Sequence, residues 1–386
     1  MNFDRYIRCA IATVALAATA MLSSCSRDDS QNGAVPAKSN VSVGFRISLG
    51  EPASPSTRSV EYDDGKSTDY ENYIDFRNYR VMFFDKSNRY LAAFKPTDII
   101  SLEDNPLRSR LYEVIGKIDW SSDEPFPSDF KVVILANWHS YPSNPTVGQT
   151  AIDDICNSAE SRYDYTAPFV LSADNAIPMY GVKLFEGVSF RADMLTYLGT
   201  IYMLRSMAKI EVKCPTKGWT IESVELHRYN RTGFCAPDKV YDESDYVEGG
   251  YYSDDSLDIH IVDGVADDGE LSFEKLDDGR FVIYVPEYRN TTDGSNKVAD
   301  AAEIRVKFEE RQDKDYVIDF KYYENPPVNF AIGDWFDIRR NYYYKFSISK
   351  ADEYGDNLKI SIDVDPYDEY TLDPIFGVDE EDENSK

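Results

Sequence analysis

Val41, Val43, Phe45, Ile47 and Leu49 are apolar, and Ser42, Gly44, Arg46 and Ser48 fall between them. Side chains of an extended chain point alternately to its two faces, so this pattern puts every apolar group on one side of a strand; helical periodicity does not. The rhythm returns near the far end in Tyr342, Tyr344, Phe346 and Ile348, and again in Leu358, Ile360, Ile362 and Val364. Between them, Tyr79 to Asp85 runs into a turn at Lys86–Asn88 and then Tyr90 to Phe94, while Lys131 to Trp138 reads as a fully buried strand. Tyr202 to Val212 reads as one strand, and further strands are expected over 221–226, 259–262, 280–285, 303–308 and 316–322. Leu184–Phe185 and Val188–Phe190 suggest a short pair, Pro178 to Gly181 a turn region, and Ala151 to Ser161 the best helix candidate. An aromatic content of 14%, with 29 Tyr, suits half-buried sheet surfaces. The fold class expected is all-β, built as antiparallel sandwiches.

The front of the chain is different. Arg5 and Arg8 precede an apolar run from Ala10 to Leu22, which is too short for a stable transmembrane helix and suits a secretory signal. Leu22-Ser23-Ser24-Cys25 resembles a bacterial lipobox, in which cleavage before Cys25 leaves a thiol that carries a diacylglyceryl group; the alternative is an ordinary signal with a chance Cys. Lipid on Cys25 makes the membrane a partner, since several acyl chains on one residue anchor a protein firmly. Residues 25–40 then read as a polar tether, with Ser26-Arg27-Asp28-Asp29 resembling a weak surface-export signal. The tether meets the amphipathic strand, and Glu51 to Ser59 follow as a turn-rich linker containing one Arg, Arg58.

About 362 residues remain after the signal, enough for two domains, with 42% hydrophobic content to supply cores. We expect an N-terminal sandwich over 41–200, a C-terminal one over 201–366, and an extension with an acidic tail over 367–386. The net charge is −28, and near −29 once Arg5, Arg8 and Asp4 leave with the signal. Such a surface excludes nucleic acid as a natural partner and favours solubility at a crowded cell surface.

Catalytic constellations are missing. The three His are His139, His227 and His260, and there is no GxSxG, no HExxH and no Gly-rich phosphate loop. The expectation is a protein that is not an enzyme and needs no cofactor. The acidic run Asp242, Glu243, Asp245 and Asp254-Asp255 lacks calcium-loop spacing, and no Cys/His spacing suits zinc, so no metal is expected. Cys156, Cys214 and Cys235 stay in the mature chain; Cys214 and Cys235 could bridge.

Several motifs occur in a telling order: Val133-Ile134-Leu135-Ala136-Asn137-Trp138, Ile177-Pro178-Met179-Tyr180-Gly181, Leu204-Arg205 with Ala208 to Val212, Tyr284-Val285-Pro286-Glu287, and Arg340-Asn341 with Tyr342 and Tyr344. With the lipobox, they resemble the fimbrillin family, the FimA-like pilins of type V fimbriae, over most of the chain. One departure is Pro366-Tyr367, where relatives often have Pro-Trp. The resemblance implies two tandem transthyretin-like β-sandwich domains and assembly by strand exchange with other fimbrial subunits. It further implies that an arginine-specific protease removes the first strand, Val41 to Leu49, making Arg58–Ser59 the candidate cut, with Arg46 a poorer substrate inside a folded strand. The donor strand would come from the C-terminal region, where Tyr370, Leu372, Ile375 and Phe376 are candidate plugs unless this tail packs on its own domain. The roles left open are shaft or tip subunit, lipid-retaining anchor, and a surface lipoprotein that binds glycan through exposed aromatics. The last would need loop-borne Trp or Tyr, and of Trp120, Trp138, Trp219 and Trp335 two fall on or beside predicted strands. A host or bacterial surface ligand is the remaining possible partner.

Overall fold

The computed structural model describes residues 41–49, 51–52, 69–350, 358–366 and 369–370, apart from 104, 108, 192–193, 249–250, 253–257, 293–295 and 324–330. The alternating segment at the front forms β1 (Ser42–Ser48) and buries its apolar face, with Val43, Phe45, Ile47 and Leu49 at 0% exposure. The longer strands that follow are β2 (Tyr79–Phe84), β3 (Tyr90–Ser101), β4 (Leu111–Ile118), β5 (Phe130–Ala136), β6 (Met179–Phe185) and β7 (Leu195–Tyr202). With the short Leu204–Arg205 strand they hydrogen-bond in the order Leu204–Arg205, β6, β5, β2, β3, β4, β1, β7. β3 makes the corner. Up to Ala93 it pairs with β2, and from Phe94 it pairs with β4 across a register shift at Pro96 to Asp98. A strand that changes partners at a bulge is how one sheet bends over into the next layer. Phe45 meets Phe94 at 5.5 Å and Phe83 meets Phe130 at 5.5 Å, so aromatic rings from both arms fill the interior. The corner also needs Gly116: a Cβ there would lie 2.4 Å from the Lys95 carbonyl oxygen and 2.8 Å from Pro96 Cα.

The chain changes sheets at Ser206–Met207. Beyond it come β8 (Ala208–Lys213), β9 (Ile221–Asn230), β10 (Ala266–Ser272), β11 (Phe281–Val285), β12 (Glu303–Phe308), β13 (Tyr316–Asp319), β14 (Tyr342–Lys350) and β15 (Leu358–Pro366). One sheet runs Glu274–Lys275, β11, β8, β14, β15, and the other runs β10, β9, β12, β13. Among the described residues two small sheets join residues from both sides of the break: Thr232–Phe234 pairs with Arg162–Asp164, and Glu51–Pro52 pairs with Glu369–Tyr370. Helix is scarce: α1 (Ile152–Cys156) and a 3-10 turn at Ala159–Ser161 share the segment expected to be one helix.

The protein is thus nearly all β, and among the described residues its strands pair antiparallel except where β1 pairs parallel with β7, β8 with β14, and Glu51–Pro52 with Glu369–Tyr370. Other departures from expectation have local causes. Ile259–Val262 is not a strand: the His260 N–H donates to a Glu287 carboxylate at 3.1 Å and its ring stacks on Phe234 at 3.6 Å. Pro178 to Gly181 leads directly into β6 rather than turning, because Met179 and Tyr180 pair with β5 and with Leu204–Arg205. Val188 to Phe190 makes a single backbone bond, Val188 N–H to Ser128, instead of a ladder. The stretch from Tyr202 to Val212 splits into three strands, since Ser206 N–H turns to the Pro178 carbonyl at 2.9 Å. Cys214 and Cys235 do not bridge: Cys214 follows β8 in one sheet, Cys235 follows Thr232–Phe234, and both thiols are free. No helix among the described residues is long and apolar enough to cross a membrane.

Candidate assembly site

β1 lies in a slot. On one side it pairs antiparallel with β4, Ser42 opposite Lys117 through Ser48 opposite Leu111. On the other it pairs parallel with β7, with a bulge between Gly44 and Arg46. The ladder continues past both ends: Ile118 N–H donates to the Val41 carbonyl at 2.9 Å, and Leu49 N–H to the Arg110 carbonyl at 2.8 Å. The candidate removable side chains Val41, Val43, Phe45, Ile47 and Leu49 therefore all point into the core, none more than 6% exposed. The opposite face of β1 is small or polar. Ser42 and Arg46 are half-buried there, and the Arg46 guanidinium lies over the Tyr197 ring at 5.9 Å and 3.8 Å from Glu113. Arg46 is held in the ladder on both sides, so its peptide bond is not presented as an extended loop.

The end of β1 is fastened by Arg205, a motif residue to which the sequence assigns no task. Its guanidinium is fully buried and donates to the Leu49 carbonyl at 3.0 Å, to Asn341 Oδ1 at 3.2 Å and to Asn72 Oδ1. One side chain therefore holds both Leu49, at the end of the first strand, and Asn72, near the start of the described segment that follows. That segment is itself anchored: Glu71 is buried against Lys209 at 2.6 Å, and Asn137 Nδ2 donates to the Tyr73 carbonyl at 2.8 Å. The linker cut site, Arg58–Ser59, and the lipidation candidate, Cys25, lie outside the described residues. So do the donor candidates Leu372, Ile375 and Phe376, whereas Glu369 and Tyr370 pair in parallel with Glu51 and Pro52, just beyond β1.

A cavity of about 570 Å³ opens where β3 bends away from β2, lined among others by Tyr79, Arg80, Met82, Phe94, Leu135 and Tyr141. That volume lies within the range of small-molecule sites. Arg80 is exposed, stacks on the Tyr141 ring at 4.6 Å, and gives one N–H to the Tyr79 carbonyl. The Tyr79 hydroxyl is buried and makes no hydrogen bond, and burial pushes its pKa up. Trp138, by contrast, is fully buried and donates its indole N–H to the Met179 carbonyl, so it is a core residue.

No protein-family model matches the sequence, and no curated protein matches it. Solved structures do match. The tip fimbrial protein Mfa3 from Porphyromonas gingivalis, truncated at its C-terminus, superposes with a TM-score of 0.51 at 13% identity, over 84% of this chain and 100% of that one. A cell adhesion protein from Parabacteroides distasonis gives 0.48 at 16% identity, over 86% and 98%. A fimbrilin from Porphyromonas gingivalis gives 0.45 at 14% identity, over 86% and 99%. The fold is shared with the fimbrial tip protein across the whole of that truncated chain.

Proposed function

We propose that this chain is a structural subunit of a surface fimbria, shaft or tip, exported as a lipoprotein through Cys25. It divides into two tandem sandwiches over 41–200 and 201–366, a reading supported by the sheet change at Ser206–Met207. β1 is the detachable strand: cleavage at Arg58–Ser59 frees it, and a donor segment of another subunit, carrying Tyr370, Leu372, Ile375 and Phe376, fills the slot. The observation that carries this reading is the placement of β1, paired on both sides, with Arg205 bonded to Leu49 at its end and to Asn72. After a cut at Arg58–Ser59, β1 is held by ladder bonds, apolar packing, the Arg205 bond to the Leu49 carbonyl and the Arg46 contacts with Tyr197 and Glu113. Five apolar side chains at roughly 1.5–3 kcal/mol each give an upper limit of about 7–15 kcal/mol before ordering costs. An opened slot offers the unpaired edges of β4 and β7, the usual setting for strand addition. A replacing strand must also bring a carbonyl to Arg205, since a buried guanidinium without its acceptor is costly.

The test is the intact mass and N-terminal sequence of the protein taken from the native cell surface. A start at Ser59 without lipid supports the polymerising or tip role. A lipidated start at Cys25 overturns it in favour of an anchor or a surface lipoprotein that does not polymerise.

A second reading rests on the cavity beside β3. Arg80, stacked on Tyr141 in the lining of this cavity, suits a carboxylate-bearing sugar of a host or bacterial surface. Binding on a glycan array that Arg80→Ala and Tyr141→Ala abolish would establish it; an array with no specific signal removes it.

A further inference from the structure

His227 and Glu225 stand on the same face of β9, and register places Glu270 of the edge strand β10 directly opposite His227. His227 is buried, at 8% exposure, yet its Nε2 makes no hydrogen bond. That nitrogen lies 3.6 Å from a Glu225 carboxylate oxygen and 3.6 Å from one of Glu270, and the three ligand atoms fall within 4.8 Å of one another. A separation of 3.6 Å is beyond good hydrogen-bond range. It is close to the roughly 3.3 Å between neighbouring ligands of a tetrahedral ion whose bonds are about 2.0–2.1 Å.

Charge sharpens the picture. Glu303 of β12 also faces His227, but Arg305 bonds it at 2.6 Å and Arg228 sits 3.6 Å away. Glu225 and Glu270 have no lysine or arginine within ion-pair distance among the described residues. Two carboxylates without a basic partner and an imidazole nitrogen supply the donor set of a divalent first-row ion. Imidazole steers the site away from calcium and magnesium, which take oxygen ligands.

We propose that Glu225, His227 and Glu270 bind one zinc-class divalent ion, with a remaining coordination position open to solvent beside Glu270. The ion clamps β10 onto β9. β10 needs such a clamp, because it is an edge strand with the sequence Ala-Asp-Asp-Gly-Glu-Leu-Ser and only Leu271 is buried. Sequence spacing hides the site, since strand pairing and not a local motif brings Glu270 to His227.

The experiment is calorimetric titration of the metal-stripped full chain with zinc chloride and, separately, calcium chloride, joined to hydrogen exchange over residues 266–272. Zinc should bind one per chain and slow exchange in β10, with calcium far weaker. His227→Gln should weaken zinc binding on the order of 100-fold or more and remove the exchange effect. Glu270→Gln, on a carboxylate that is 64% exposed and tolerant of change, should weaken it without unfolding. No saturable zinc binding, zinc affinity unchanged in both variants, or calcium binding as tightly as zinc would overturn the proposal.

Discussion

β1 and β8 lie between the same kinds of neighbour in their respective sheets, yet they are held by different forces. Each lies between an antiparallel neighbour, β4 or β11, and a parallel one, β7 or β14. Each turns apolar residues inward. The outward faces differ. β8 carries Lys209, paired with buried Glu71 at 2.6 Å, and Glu211, bonded by Arg280 at 2.8 Å and by the Tyr343 hydroxyl at 2.5 Å. β1 carries serines, a glycine and Arg46, whose contact with Glu113 is 3.8 Å at the surface. Pulling β8 out would strand buried charges, at about 3–5 kcal/mol for each broken pair. Pulling β1 out exposes apolar wall and ladder edge and takes one acceptor, the Leu49 carbonyl, from Arg205, which keeps Asn341 and Asn72; an amphipathic strand of suitable register can cover the wall and supply a carbonyl again. The difference marks β1 as the replaceable strand and β8 as a fixture. The outer edges agree: β14 is covered by β15 along its length, while among the described residues no strand pairs with the far side of β7, where Lys183 bonds the Thr200 carbonyl, Glu243 the Tyr202 N–H and the Tyr246 hydroxyl the Tyr202 carbonyl.

The most severe way to break this comparison is to delete residues 26–58. The truncated chain should form concentration-dependent oligomers in analytical ultracentrifugation as slots seek strands. A stable monomer at high concentration would mean that the slot closes or is tolerated open, and self-exchange would fail.

Single side chains sharpen it next. Phe45→Ala in β1 should cost about 3–5 kcal/mol and Ile210→Ala in β8 about 2–5 kcal/mol, read by urea unfolding of the intact chain. The two should part after proteolytic nicking of the linker. Phe45→Ala should then speed release of the β1 peptide, whereas Ile210→Ala should leave that rate near wild type. Equal acceleration by both would mean that β1 leaves only by global unfolding.

Much of this contrast is legible in the sequence, and the unreadable parts have physical causes. Val41 to Leu49 alternates without a break, and β14 and β15 do so too, so the inward face of each follows from residue order alone. The partners of β1 do not follow in that way. β4 runs Leu-Tyr-Glu-Val-Ile-Gly-Lys-Ile, and its alternation is interrupted by Gly116, a residue that tertiary crowding at the β3 corner requires. β7 runs Leu-Thr-Tyr-Leu-Gly-Thr-Ile-Tyr, and a bulge with Gly199 at φ 88° breaks its period. β10 is too polar to register as a strand at all. Arg205 in the middle of an apolar stretch carries no local sign that it fastens Leu49 and Asn72, because those partners come from far along the chain. Cys214 and Cys235 are near in sequence, but sheet membership separates them.

Acid should act on the second half first. Burial, and next the positive charge of Arg340, hold the His260 imidazole below its usual value of 6.5, and its Nδ1–H donates to the Ala236 carbonyl at 2.9 Å. A depressed folded pKa means the unfolded chain takes the proton more readily. This contribution to stability is therefore intact above about pH 6.5 and falls as the pH drops below that value. His260→Gln should flatten the slope of unfolding free energy against pH between 6.5 and 5, a window set by the usual histidine value. An unchanged slope would place the acid sensitivity elsewhere.

The smallest expected effect concerns the thiols. Burial raises the Cys156 thiol to about 12 and pushes Cys235 up as well, while Cys214 is half-buried at the end of β8. An alkylating reagent acts on thiolate that it can reach, so native labelling should mark Cys214 well before the other two. Reductant should leave the melting temperature unchanged, since no bond between Cys214 and Cys235 exists to break. A lowered melting temperature in reductant would mean that the two sheets carrying these residues approach each other more closely than their strand pairing places them.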